Sequence, residues 1–331
     1  MKSISIITPC RNEDENVEAV YEAVRGVMTQ LGRYRYEHIF IDNASTDRTV
    51  ELVRRLALKD RNVKLLVNTR NFGQVGSPMY ALSQTRGDAV IGIVADFQDP
   101  PELIPELVDA WEKGFPMVLC IKRSSGENAM MSFLRKRYYR LINKLSSIET
   151  FEDFTGFGLY DRKVVDQVLA LGDAEPYFRG IIAELGYPHH KLFYDQPVRR
   201  LGKSKNNFVT LFDLAIIGII NHSKAPLRIM TFIGFCGALL SFLTGAAFLI
   251  YKLIFWSRFQ VGMAPLVIGM FFGFSVQMIL TGMLGEYVGA ILTQLKHRPY
   301  AVEKERMNFE YGPGLPMARE GETQSPLAIL R

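Results

Sequence analysis

The sequence predicts an α/β domain with a mainly parallel sheet, followed by an amphipathic interfacial helix and a two-helix transmembrane hairpin. Between residues 3 and 121, short β-branched apolar runs alternate with longer segments of helical spacing, the pattern of a parallel sheet covered on both faces. Small groups of polar residues follow those runs, at the edge where such sheets bind ligands. Two uncharged apolar stretches, 229–251 and 259–285, each exceed the roughly 20 residues a helix needs to cross a bilayer.

Residues 3–8 (SISIIT) read as the first strand and 15–31 as the helix after it. Strand 36–42, helix 46–59, strand 63–68 and helix 73–85 continue the alternation. Residues 89–94 form a fourth strand and 117–121 a fifth. Pro9, Arg11, Asn12 and Glu13 follow the first strand, and Asp42 and Asn43 end the second. Asn71 and Gly73 follow the third, and Asp96 the fourth. Residues 208–220 carry Phe208, Leu211, Phe212, Ala215, Ile216 and Ile219 at helical spacing behind a basic stretch. That suits a helix lying in the membrane interface, and equally one packed on the soluble part. Residues 131–145 are a second interfacial candidate. The link 252–258 is too short for anything but a hairpin. The chain thus divides into a soluble domain 1–205, a juxtamembrane helix 206–225, a hairpin 226–295 and a tail 296–331, expected to be loosely ordered beyond Pro299.

A chain of 331 residues has room for one soluble domain and a membrane part. Its net charge of +5 is modest, and basic residues cluster ahead of the first apolar stretch. This suits anionic headgroups or phosphates and not nucleic acid. The start, MKSISIITPCRNEDE, has no charged segment followed by a long apolar one, so it is not expected to be a signal peptide. Cys10, Cys120 and Cys236 show no metal or disulfide spacing and read as small buried hydrophobes in a reducing compartment. Lys224, Arg228, Lys296, Arg298 and Lys304 flank the apolar pair, against Lys252 and Arg258 within it. The positive-inside rule then puts both termini in the cytosol. Gly237, Ser241 and Gly245, and Gly269 and Gly273, recur every fourth residue, which suits close packing of the hairpin or a homo-oligomer. Glu286 reads as an interfacial charge at the end of the second span.

Phosphate-binding fingerprints fail. Gly156 and Gly158 are followed by Asp161 where a third glycine belongs, and Gly202-Lys203-Ser204 has Pro197 where a P-loop begins. The acidic segment Asp96-Phe97-Gln98-Asp99-Pro100-Pro101-Glu102 follows an apolar strand. It suits Mg²⁺ or Mn²⁺ shared with substrate phosphates, or else a solvated turn with Asp99 capping the next helix.

With those residues in view, the sequence resembles the family 2 inverting glycosyltransferases of the GT-A fold, and within them the polyprenyl-phosphate glycosyltransferases. The resemblance rests on Ile7-Thr8-Pro9 through Asn12-Glu13, Asp42-Asn43-Ala44-Ser45-Thr46-Asp47, Asn71-Phe72-Gly73 and the acidic segment. Arg200-Leu201-Gly202-Lys203-Ser204-Lys205, the two-span anchor and Gly285-Glu286-Tyr287 follow in order. It implies transfer of a sugar from a nucleotide-sugar to a polyprenyl phosphate at the cytosolic face, in a bacterial inner membrane in preference to the endoplasmic reticulum. It also implies that Pro9, Arg11, Asn12, Glu13, Asp42, Asn43, Ser45, Asn71 and Gly73 hold the donor. Asp96 and Gln98 would hold the metal, and Arg123, Arg200, Lys203 and Lys205 the lipid phosphate. Asp47 and Glu102 read as helix-end carboxylates.

Asn43, Val94 and Gly156 stand where the family usually has aspartates, and Asp153 is the substitute candidate for a catalytic base. The alternative reading is a catalytically weak, nucleotide-binding membrane scaffold of the same fold. A processive polysaccharide synthase is excluded, because Trp111 and Trp256 follow Ala110 and Phe255 and not the arginine of a Q-x-x-R-W motif.

Overall fold

The computed structural model describes residues 1–123, 151, 153–174, 176–197, 225–254, 263–296 and 298–309. The alternation in the sequence becomes β1 (Ser3–Cys10), α1 (Val17–Leu31), β2 (Arg35–Asp42), α2 (Thr49–Lys59), β3 (Val63–Asn68) and α3 (Gly73–Gln84). After these come β4 (Ala89–Gly92), a 3₁₀ turn (Pro101–Leu103), α4 (Ile104–Glu112) and β5 (Met117–Lys122). Then follow β6 (Phe154–Asp161), α5 (Arg162–Ala170), α6 (Phe178–Glu184) and β7 (His189–Tyr194). The strand order is β7-β5-β6-β4-β1-β2-β3-β8, where β8 is Glu303–Met307. β1 pairs in parallel with β2 and β4, β2 with β3, and β5 with β7; β6 and β8 run antiparallel to their neighbours.

Side chains alternate across each strand, so each face of the sheet has its own core. Ile4, Ile6, Ile91, Val118 and Leu159 pack with Val20, Val24, Leu107, Val108 and Trp111 of α1 and α4. Phe40 and Leu65 meet Leu52, Val53 and Leu56 of α2 on that same side. On the other face, Ile39, Ile41, Leu66 and Val90 meet Met79, Leu82, Val164 and Ile181 of α3, α5 and α6. Cover on both faces explains the nearly unbroken apolar runs.

The N-terminal edge is pinned by a buried ion pair. Glu37 of β2 accepts from Lys64 of β3, from the Ser5 hydroxyl of β1 and from the Arg86 N–H just before β4. Burial raises the Glu37 carboxyl, but those donors outweigh it and its pKa is lowered. Trp111 donates to Asp161, which also caps α5 through the Lys163 N–H, and Arg162 donates to the Gly87 carbonyl and the Thr85 hydroxyl. Asp161 and Arg162 are thus a latch between elements.

Three expectations need correction. The described part of the segment beyond Pro299 is not loosely ordered: residues 300–309 include β8, fastened by paired bonds from Arg54 to Glu305 at 2.9 and 2.8 Å and by Asn308 to the carbonyls of Ala57 and Val63. The apolar stretches form longer helices than their uncharged runs, α7 (Ala225–Ile254) and α8 (Met263–Leu295), so Lys252 is helical and Glu286 lies inside α8. Within α8, Phe272–Leu295 is long and apolar enough to cross a membrane, while in α7 the apolar window among described side chains is Ile229–Thr244. Cys10 and Cys120 are buried, but Cys236 on α7 is exposed. Both amphipathic candidates, 131–145 and 208–220, lie outside the described residues.

Candidate active site

Strand direction gathers the candidate residues. The C-terminal ends of β1, β2, β3, β4, β5 and β7 share one edge with the start of antiparallel β6. Arg11, Asn12, Glu13, Asp42, Asn43, Ser45, Asn71, Gly73, Asp96, Gln98, Arg123 and Asp153 all stand there. The backbone is strained along the same edge. Asn12, Ala44, Phe97 and Asp153 have φ of 54°, 58°, 61° and 56°, each a conformation costing on the order of 1–3 kcal/mol outside glycine. Asn308 is the other described non-glycine residue of this kind.

The loops after β1 and β2 are stitched together. The Asn12 N–H donates to the Ser45 hydroxyl at 2.8 Å, and the Thr46 N–H to the Asn12 side-chain oxygen at 2.8 Å. The Glu13 N–H donates to the Thr49 hydroxyl at 2.9 Å. Asp47 opens α2 by accepting from the N–H and hydroxyl of Thr49, as a helix-end carboxylate should; burial pulls its pKa up, but these bonds and that from Asp14 leave it lowered. Asp42 is 0% exposed, with its oxygens turned to the N–H and hydroxyl of Ser45. Burial raises its pKa against those bonds. It braces the loop wall from behind.

Asn43 is 8% exposed and its amide is fully used. Its nitrogen donates to the Asn71 side-chain oxygen at 2.8 Å and the Gly73 carbonyl at 2.9 Å. Its oxygen accepts from the Phe72 N–H at 2.8 Å and from Asn68 at 3.3 Å. An aspartate has no N–H for the Gly73 carbonyl. The departure from aspartate at this position therefore has a local cause: Asn43 clamps the β3–α3 loop.

Below β4, Asp96 accepts from the Gln98 N–H at 3.1 Å. Asp99 does not cap the following turn. It is 6% exposed, accepting from the Val94 N–H at 3.2 Å and the Tyr194 hydroxyl at 3.5 Å. Burial pushes its carboxyl up to about 7, against the Val94 N–H. Gly156, where an aspartate is usual, has φ of 104°, backbone that L side chains rarely adopt. That conformation explains the missing side chain. Arg123 follows β5, donates its N–H to the Tyr194 carbonyl at 2.9 Å, and lines a surface cleft of mixed charge with Glu106, Asp109, Lys113, His190 and Lys191. Arg200, Lys203 and Lys205 lie outside the described residues. Among the described residues, no three His, Cys, Asp or Glu side chains gather as a metal cage. Asp96 is the one carboxylate of the expected metal pair that the chain retains.

A mainly parallel α/β sheet whose polar loops converge on one carboxyl edge has the architecture of a ligand-binding α/β domain. Residues 5–169 match the family described as Glycosyl transferase family 2, and the chain belongs to that family. It is 34% identical over 311 residues to an uncharacterised glycosyltransferase of Synechocystis sp., covering 94% of this chain and 97% of that one. It is 37% identical over 306 residues to the bactoprenol glucosyl transferase of Shigella phage SfV, covering 92% and 99%. To a prophage bactoprenol glucosyl transferase homolog of Escherichia coli (strain K12) it is 34% identical over 303 residues, covering 91% and 98%.

Proposed function

We propose that the protein moves a sugar from a nucleotide-sugar to a polyprenyl phosphate in one inverting displacement. The observation that carries this reading is the convergence of the donor-side loops on a single sheet edge, in a chain that shares nearly its whole length with bactoprenol glucosyl transferases. The nucleotide lies over the loops after β1, β2 and β3, with Arg11, Asn71 and Gly73 exposed toward it. Mg²⁺ needs only one or two carboxylates when substrate phosphates complete its shell, so Asp96 with Gln98 suits Mg²⁺ or Mn²⁺ bound together with the donor's diphosphate. Such an ion supplies charge neutralisation for the leaving nucleoside diphosphate.

The acceptor explains why a missing base is tolerable. A phosphate monoester has its second pKa at about 6 and is anionic at neutral pH, so its attack needs no proton removal. Arg123, with Arg200, Lys203 and Lys205, draws the lipid phosphate toward the donor. Asp153, the substitute candidate for a base, stands on the same edge, but the chemistry does not require one.

The return of the chain to β8 supports the membrane topology. Residues before α7 and residues after α8 belong to one sheet, so the chain between them crosses a bilayer an even number of times. With α8 as one crossing, α7 is the other. The flanking lysines and arginines then set the sheet, and both ends of the hairpin, on the cytosolic side.

The test is a transfer assay. Purified protein receives polyprenyl phosphate, Mn²⁺ or Mg²⁺ and a panel of radiolabelled nucleotide-sugars. Labelled lipid with one donor, lost in Asp96→Ala, is the expected result. No labelled lipid with any donor, while nucleotide still binds, would overturn the reading.

A further inference from the structure

The chain after α8 rejoins the catalytic sheet on its donor side. Residues 300–302 lie against both ends of the loop joining β3 to α3. At the start of that loop, the Thr69 N–H donates to the Val302 carbonyl at 2.9 Å, and the Thr69 hydroxyl reaches the same oxygen at 3.2 Å. At its end, the Tyr300 carbonyl sits over Gly76 in the first turn of α3, where a Cβ would come within 2.5 Å of that oxygen. Ala301, between the two contacts, is 3% exposed. The ladder from β3 to β8 shifts register between Val67 and Asn68, so these contacts carry on where regular pairing breaks. Asn71, Phe72 and Gly73 run between them, held from the other side by Asn43.

We infer that residues 300–302 are positioning residues of the donor site. Asn43 grips the 69–76 loop from within the sheet, and the return strand grips it from outside, so that Asn71 and Gly73 meet the nucleotide in one arrangement. Glycine weakens a helix; at position 76 it makes room for the Tyr300 carbonyl. The inference rests on the donor-site reading above.

The experiment uses full-length protein in detergent, with Gly76→Ala and Gly76→Leu beside Asn71→Ala and Glu305→Ala. Each is titrated calorimetrically with UDP and with GDP, and assayed for donor KM and kcat. Alanine and leucine are better helix formers than glycine, so neither should weaken α3 itself. Gly76→Ala is expected to raise the nucleotide Kd and donor KM about tenfold, and Gly76→Leu further, with kcat changed much less, as misplacement of a binding group should. Glu305→Ala, in the middle of β8 and bonded to Arg54 of α2, should lower Tm with nucleotide affinity unchanged. If both Gly76 variants bind nucleotide like wild type while Asn71→Ala binds weakly, the positioning role is overturned. If Asn71→Ala also binds like wild type, the donor-site reading falls with it.

Discussion

At the N-terminal edge of the sheet, the buried carboxylate of Glu37 faces an ammonium, a hydroxyl and an N–H. At the C-terminal edge, the buried carboxylate of Asp99 accepts from the Val94 N–H and the Tyr194 hydroxyl, with Asp96 adding like charge and Lys122 easing it. One group is driven below its ordinary pKa, the other well above it. The strained residues Asn12, Ala44, Phe97 and Asp153 all lie at the C-terminal edge. The contrast shows one sheet holding a stabilising edge and a strained edge where the polar loops gather, a few strand residues apart.

The largest effect that would break this contrast is expected from Lys64→Met. It leaves Glu37 buried without its cation, which typically costs about 3–5 kcal/mol, read as a fall in urea midpoint. Nucleotide affinity should be little changed, because the pair lies at the opposite edge. Next comes Asp96→Ala, expected to cut transfer about a hundredfold, equivalent to about 3 kcal/mol of lost electrostatic stabilisation, with Tm preserved. Asn43→Asp sets a carboxylate against the Gly73 carbonyl and leaves that acceptor unmatched, a loss of about 1–3 kcal/mol. It should appear as weaker nucleotide binding and faster amide exchange in the 69–76 loop. The smallest effect is expected for Asp153→Asn, which should keep kcat within about threefold if an ionised phosphate needs no base, against the roughly 10²–10⁴ a working base contributes.

The two edges also answer pH in opposite senses. Folded Glu37 has a pKa below its ordinary 4.5, so its stabilisation is present above that value and is lost as pH falls through the folded one. Folded Asp99 keeps its proton up to about 7, whereas the unfolded chain releases it near 3.8. The native state therefore holds the extra proton across that window, and stability falls as pH rises through it. Urea unfolding from pH 4 to 7 should show a downward slope that Asp99→Asn flattens and Glu37→Gln leaves in place.

The strands with continuous apolar runs were legible in the sequence. β3 matches its expected bounds, and β1, β2, β4 and β5 differ by a few terminal residues. β6, β7 and β8 went unread. β6 contains Gly156 and Gly158, which interrupt the apolar pattern, and takes its order from pairing on both sides. β8 reads Glu-Lys-Glu-Arg-Met, with Met307 as its one apolar residue; an edge strand can be held by ion pairs and ladder bonds, and charge on it also discourages stray pairing. The candidate residues were legible as a group because parallel strands deliver their loops to one edge. Their division of labour was not: whether Asp42 and Asn43 touch a ligand or brace a loop depends on burial and on partners distant in sequence, Asn71 and Gly73 among them.

β8 has a consequence for how the protein is made. Translation runs from the N-terminus, and domains begin to fold as they emerge, yet this sheet's outermost strand leaves the ribosome after both apolar helices. Until then β3 presents a bare edge of unpaired N–H and C=O groups, the kind of edge that invites pairing with other chains. Completion of the sheet is thus tied to both apolar helices having been synthesised, so chains stalled or cleaved within them lack β8.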